Sequence, residues 1–368
     1  MPAQPSRTTP KGATTAIPAT TVTSDAVDFR LPQAPGIQGV RLELDFSVVP
    51  TDPELRRDAD LWSLHLPRPA VDRMEYQFTV RSADGVAHVL DPSNPRTVSN
   101  PFGDKSEIVF PDYSEPHWLS APERGTEVKV STPAAALETA VPISLWSPEG
   151  LDMDAGAPLL VANDGSDLAG RGGLLRWAAE AARARPFRVA LLDPPPGLRD
   201  QWYAADPTYA DHLSTIVLPA LENRVAVEAV VGLGASLGAL AMLFAQRRHP
   251  ELLDAMVLQS GSYFTLGLDA QERGYPGFDQ VCAAVMDLIA GPTVSSGGMP
   301  TSCEVLMTCG TVEENRPNNE KMADALGALG YRVQLDLQPD AHTMIGWRNA
   351  WSPRMDALLH TVGRRPGR

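Results

Sequence analysis

The sequence predicts an α/β protein in which a mostly parallel sheet, covered by helices on both faces, follows a smaller β-sandwich domain of immunoglobulin type. Three observations predict it. Strand and helix patterns alternate from about residue 126 onward, whereas residues 27–115 hold short strands divided by Pro, Asp and Gly with no helical period. A serine flanked by two glycines joins a buried strand to a helix. Composition allows both units: the chain has 368 residues, 43% hydrophobic and 21% charged, ordinary values for a soluble globular protein.

Taken in order, residues 1–26 hold mainly Pro, Thr and Ala, with Arg7 and Lys11 the only charges before Asp25, and read as a disordered tail. They contain no apolar run of signal-peptide length, so a cytoplasmic setting is expected. Residues 40–48, 61–66 and 74–80 read as strands, the first alternating apolar and polar residues, and Ser82-Ala83-Asp84-Gly85 reads as a hairpin turn. A β-sandwich domain over 27–118 follows, closed by Pro116-His117-Trp118-Leu119. It is either a lid or binding module for a substrate, or a structural appendage.

The second domain, 126–368, opens with a strand pair at 125–130 and 142–146. An apolar strand at 157–163 runs into Asp164-Gly165-Ser166. Further strands are expected at 187–192, 230–235, 255–261, 304–309 and 333–338, with helices at 172–185, 209–223, 236–248, 318–329 and 353–362. Functional groups in such a sheet belong at the C-terminal ends of the strands.

The segment Val230-Val231-Gly232-Leu233-Gly234-Ala235-Ser236-Leu237-Gly238 is a strand, a Gly-x-Ser-x-Gly turn and the start of a helix, the pattern of the nucleophile elbow of an α/β hydrolase. The turn is too tight for large neighbours, and the helix after it aims N–H groups at a developing oxyanion. A serine hydroxyl needs a base, and the chain order is serine, acid, histidine. Three histidines follow Ser236. His249 precedes Pro250 at a helix end, and His360 lies in the last amphipathic helix. His342 sits in a loop directly after a predicted strand, where the base belongs. The acid should follow strand 304–309: Glu313 is preferred to Glu314, and Asp340 is too near His342 in sequence. Oxyanion donors are expected from the N–H of Leu237 and from Gly165 or Ser166.

Together, Asp164-Gly165, Gly234-x-Ser236-x-Gly238, Gln259-Ser260-Gly261-Ser262, Gly310-Thr311-Val312-Glu313 and His342-x4-Trp347-Arg348 resemble the esterase D group of α/β hydrolases, and within it the enterochelin esterases of the Fes type. The resemblance covers most of 126–368, and the β domain in front suits that architecture. It implies a serine esterase with Ser236, Glu313 and His342 as its triad, cleaving ester bonds of a catecholate siderophore to free iron. Arg199, Trp202, Trp347 and Arg348 are the residues expected to meet the substrate. The stretch around Arg199 departs from the family, because Trp202 stands near an expected Glu and Asp206 follows. Arg199, Trp202 and Tyr203 either form an aromatic and cationic wall for a planar ligand or pack the loop.

A net charge of −14 opposes a nucleic-acid or anionic-membrane partner, and no stretch approaches the ~18 apolar residues of a membrane helix. Cys282, Cys303 and Cys309 suit buried small apolar positions better than a disulfide framework or metal site. The expected partner is a small-molecule ester, with no cofactor or metal; the oligomeric state is not specified. Alternatives are an esterase or acyltransferase for feruloyl or acyl-sugar esters, and a non-catalytic ligand-binding protein.

Overall fold

The computed structural model describes residues 19–47, 52–101, 103–291 and 303–363. Nine strands form two antiparallel sheets at the N-terminal end: β1 (Thr21–Val22), β2 (Ala26–Pro32), β3 (Ile37–Leu44), β4 (Arg56–Asp58), β5 (Leu61–Pro67), β6 (Arg73–Ser82), β7 (Gly85–Val89), β8 (Thr97–Val98) and β9 (Lys105–Val109). One sheet runs β1-β2-β5-β4, the other β3-β6-β9-β8 with β7 on β6. The period-2 pattern decides which residues face inward. Val27, Phe29 and Leu31 from one sheet meet Val40, Leu42, Tyr76 and Phe78 from the other in a single core. The rings of Phe29, Tyr76 and Phe78 pack edge to face there.

Two boundaries differ from the sequence reading. The expected tail ends earlier than residue 26: Thr21 and Val22 pair with Asp28 and Val27, and the Thr20 hydroxyl bonds the Asp91 carboxylate. Thr and Val are poor tail markers because β-branched side chains suit an edge strand. Residues 1–18 of the expected tail lie outside the described residues. At the other end, Trp118 is not a closing residue of the β domain. It is buried and stacks on Trp351 at 5.6 Å, inside the core of the following domain.

That domain is built on β10 (Thr126–Val130), β11 (Ile143–Ser147), β12 (Ala157–Asn163), β13 (Arg188–Leu192), β14 (Val227–Ala235), β15 (Ala255–Gln259), β16 (Glu304–Gly310) and β17 (Arg332–Gln338), in spatial order β10-β11-β13-β12-β14-β15-β16-β17. The pairs β10–β11 and β11–β13 are antiparallel, and all the others are parallel. Helices α1 (Gly165–Gly170), α2 (Leu174–Ala181), α3 (Arg199–Tyr203), α4 (Pro207–His212), α5 (Leu218–Glu222), α6 (Leu237–Arg248), α7 (Phe278–Ala290), α8 (Arg316–Ala328), α9 (Met344–Asn349) and α10 (Arg354–Thr361) connect them.

Separate apolar clusters fill the two faces of the sheet, one containing Trp177 and Trp351, the other Trp202, Tyr203 and Tyr209. The helix expected over 209–223 is three pieces, α4, a π segment at Leu213–Val217 and α5, whose first turn holds Pro219. Proline removes an N–H from the ladder, so the helical run breaks its register there. Among the described residues no helix is long and apolar enough to cross a membrane. The cysteines at 282, 303 and 309 are free and buried.

Sheet building changes direction at β12. β13 lies on one side of it and β14 on the other, so the C-terminal ends of β12 and β14 border the crevice where α/β sheets bind ligands.

Candidate active site

The serine side of this crevice is made locally. Val230 to Ala235 are buried, and the chain then turns at Ser236 with φ 55° and ψ −126° before entering α6. Such a backbone costs a non-glycine residue of order 1–3 kcal/mol and persists only where the surroundings hold it. Here the Ser236 N–H donates to Gln259 O (2.9 Å), and the Ser236 carbonyl accepts from Ser262 N (3.2 Å) and Ala239 N (3.1 Å). A Cβ on Gly234 would lie 2.2 Å from the Gly238 carbonyl oxygen, so a larger residue cannot stand there. The Leu237 N–H opens α6, where intrahelical partners are lacking.

The loop after β12 is clamped to this turn. Asn163, fully buried, donates from Nδ2 to Gly238 O (3.0 Å), while its Oδ1 accepts the Tyr209 hydroxyl (2.7 Å). Asp164 is left-handed at φ 54°, and Gly165 lies so close to β13 that a Cβ would come within 2.4 Å of Leu191 Cβ. Ser166 donates its N–H to Asp193 Oδ1 (2.8 Å) and its hydroxyl to Asp193 Oδ2 (2.6 Å).

On the opposite side, His342 Nδ1 is 3.0 Å from Glu313 Oε2. Glu313 is buried, and its Oε1 accepts the Ser260 hydroxyl (2.7 Å) and the Gly310 N–H (2.8 Å). Burial would raise its pKa, but the neighbouring imidazole and these donors outweigh that and hold it below the ordinary Glu value. Burial likewise pulls His342 down, and the Glu313 carboxylate overrides it, with Glu314 and Asp45 adding, so His342 sits above the ordinary His value. Trp347 packs edge to face with the imidazole at 5.1 Å and donates Nε1–H to Ser260 Oγ (2.9 Å).

Ser260-Gly261-Ser262, after β15, joins the two sides. Ser260 holds Glu313 from one end, and Ser262 Oγ lies 3.1 Å from Ser236 Oγ at the other. Sequence reasoning quoted this segment without giving it a role. Asn315, whose Nδ2 is 3.4 Å from His342 Nδ1, was also missed. Its signal was its place two residues after Glu313.

Other expected residues lie as follows. Glu314 is exposed, and Asp340 turns its carboxylate to Arg73 rather than to His342. His249 caps α6 and pairs with Asp211, and His360 Nε2 contacts Ala181 O. Arg199 is tied by two hydrogen bonds, 2.8 and 2.7 Å, to Asp164, with its guanidinium 5.4 Å above the Tyr203 ring, so its charge is already matched. Trp202 is a correction. It is 2% exposed and stacks on Tyr209 at 5.5 Å, so it packs α3 into the core and forms no ligand wall. Trp347 and Arg348 sit partly buried on α9, with the Trp347 indole committed to Ser260 and His342.

A serine on a strained strand-to-helix turn beside the switch point of a mixed sheet defines the α/β-hydrolase fold. About nine-tenths of the chain is similar in structure to enterobactin esterases. Ferric enterobactin esterase from Salmonella typhimurium matches with a TM-score of 0.70 at 16% identity, covering 92% of this chain and 95% of that one. The enterobactin esterase of Shigella flexneri, crystallised in the presence of enterobactin, matches at 0.69 and 17% identity, covering 92% and 94%. The feruloyl esterase module of Clostridium thermocellum, complexed with sinapinate, matches at 0.51 and 13% identity, covering 69% of this chain and 95% of its own. No protein-family model matches the sequence, and no curated protein does. At such identities the likeness establishes the fold.

Proposed function

We propose that this protein is a serine carboxylic-ester hydrolase of the enterochelin-esterase kind, acting on the ester bonds of a catecholate siderophore. The observation that carries the reading is the pairing of His342 with the buried Glu313, tied through Ser260-Gly261-Ser262 to a serine on an elbow.

With Nδ1–H of His342 bonded to Glu313, its Nε2 is the free base. It takes the proton of Ser236 as Oγ attacks the ester carbonyl, and Glu313 stabilises the imidazolium that forms. The oxyanion is held by the N–H of Leu237 and, because Ser166 N–H is engaged by Asp193, by that of Gly165. The imidazolium then gives its proton to the departing alcohol. A water, deprotonated by the same nitrogen, cleaves the acyl-enzyme and restores Ser236. Glu313 is the better acid than Glu314 because burial and three donors fix its geometry, whereas Glu314 faces solvent.

Coverage favours the siderophore over the feruloyl class. Enterobactin esterases match across both domains, the feruloyl esterase module across only about the share of the α/β domain. The β domain reads as an immunoglobulin-like sandwich, and a cytoplasmic setting fits release of iron from an imported complex. The test is incubation with ferric and iron-free enterobactin, products followed by mass spectrometry, with Ser236→Ala as control. Stepwise release of dihydroxybenzoylserine by the unmutated protein alone is expected. No cleavage of enterobactin alongside turnover of a nitrophenyl ester would retain the esterase and reject the substrate.

A further inference from the structure

The β domain holds both loops that carry the acid and the base. Ser47 N–H donates to Val312 O (2.8 Å), next to Glu313, and the Thr311 hydroxyl donates to Ala70 O (2.7 Å). Asp72 N–H donates to Pro339 O (2.8 Å) at the root of the base loop. Beside it, Arg73 on β6 reaches across with its side chain wholly buried. Its Nη1 contacts both oxygens of Asp340 (3.2 Å each) and Thr343 Oγ1 (3.1 Å), so it grips the loop on either side of Ala341-His342. Nε and Nη2 are anchored on the β domain by Glu107 and Glu75, both at 2.8 Å. Thr343 in turn accepts the Gly346 N–H (3.0 Å) and caps α9, the helix carrying Trp347. A guanidinium with every donor face used in a fixed fork sets direction as well as charge.

We propose that Arg73 is a positioning residue for His342, which makes the β domain a working part of the catalytic centre rather than a lid or an appendage. The inference rests on the esterase reading. If Arg73 served stability alone, its loss would lower the melting temperature and leave each folded molecule with normal kcat.

The test compares the full chain with Arg73→Gln, Arg73→Lys, Asp340→Asn and, as a control, Tyr76→Phe, which removes a buried β-domain hydrogen bond to Asp91 far from the loop in sequence. Each is assayed below its melting temperature on nitrophenyl butyrate, a substrate small enough to need little of the β domain. The low-field proton resonance of His342 Nδ1–H, assigned by its loss in His342→Gln, is recorded in parallel. We expect Arg73→Gln and Asp340→Asn to lower kcat roughly tenfold to a hundredfold with KM nearly unchanged, and to shift or broaden the resonance. Arg73→Lys should fall between, and Tyr76→Phe should lose stability alone. Unchanged kcat and resonance in folded Arg73→Gln overturn the proposal, as does a loss that Tyr76→Phe reproduces. If Arg73→Gln does not fold, Asp340→Asn decides by the same criteria. An unmutated protein without esterase activity defeats the functional reading instead, and the resonance still reports on Arg73.

Discussion

The two sides of the candidate site are built by different means. Around Ser236, one strand, one turn and one helix set the shape, and the constraint that forces the turn, Gly234 against the Gly238 carbonyl, lies within five residues, with backbone bonds from Gln259 and Ser262 holding it in place. Around His342 the anchors come from farther away. The ring is fixed by Glu313 from 29 positions away and by Trp347, while its loop is gripped by Arg73, 267 positions from Asp340 and 270 from Thr343. Local geometry can place a nucleophile because a tight turn has few conformations. A loop base needs long-range packing to select one of many, so the histidine side should be the more sensitive of the two to distant mutation.

The comparison breaks most completely at the serine. Ser236→Ala should lower kcat by about a millionfold, as removal of a triad nucleophile does, with the melting temperature nearly unchanged; steady-state assay and calorimetry check both. Next, Glu313→Gln should lower kcat by about 10,000-fold through loss of the correct imidazole tautomer, measured with the same ester.

The pH profile sharpens the same point. His342 is raised in the folded protein, so kcat/KM should climb with pH through a midpoint above the free-histidine value of about 6.5. Stability carries the matching sign. The contribution of the raised His342 is fully present below its unfolded pKa and is lost as pH rises through the folded one. Removing the carboxylate by Glu313→Gln should return the midpoint toward the free value, and a titration followed by imidazole NMR measures the shift.

Smaller effects follow. Trp347→Phe loses the Nε1–H bond to Ser260 and should cost about 1 kcal/mol of stability, together with a severalfold fall in kcat at constant KM. The least catalytic effect belongs to Trp202. Trp202→Phe should leave KM unchanged within error, while Trp202→Ala should cost about 3–5 kcal/mol by opening a core cavity, read by denaturant unfolding. A KM rise in Trp202→Phe without destabilisation would restore it as a ligand contact.

The same division explains what was legible in the sequence. The alternating β and α pattern, the elbow and the loop places of Glu313 and His342 were readable, because periodicity and chain order report local structure. Trp202 was not, since an aromatic residue in a short connecting segment looks alike whether it faces a ligand or stacks on Tyr209 in the core. Arg73 gave no signal at all. An arginine at the start of an alternating strand reads as solvated, and only the docking of two domains buries it against Asp340. The anchoring of Thr20 was hidden in a Thr- and Pro-rich stretch, because its partner, Asp91, is 71 residues away.

The assignment of Ser236 as nucleophile, activated by His342, is open to direct chemical test. The most direct measurement is reaction with a fluorophosphonate followed by peptide mass spectrometry, on the unmutated protein and on His342→Gln. A single stoichiometric adduct is expected on the peptide holding Ser236, formed at least a hundredfold more slowly without His342, on the order of the loss expected from removing a general base. An adduct on another serine, or labelling of Ser236 at the same rate in both proteins, would contradict it.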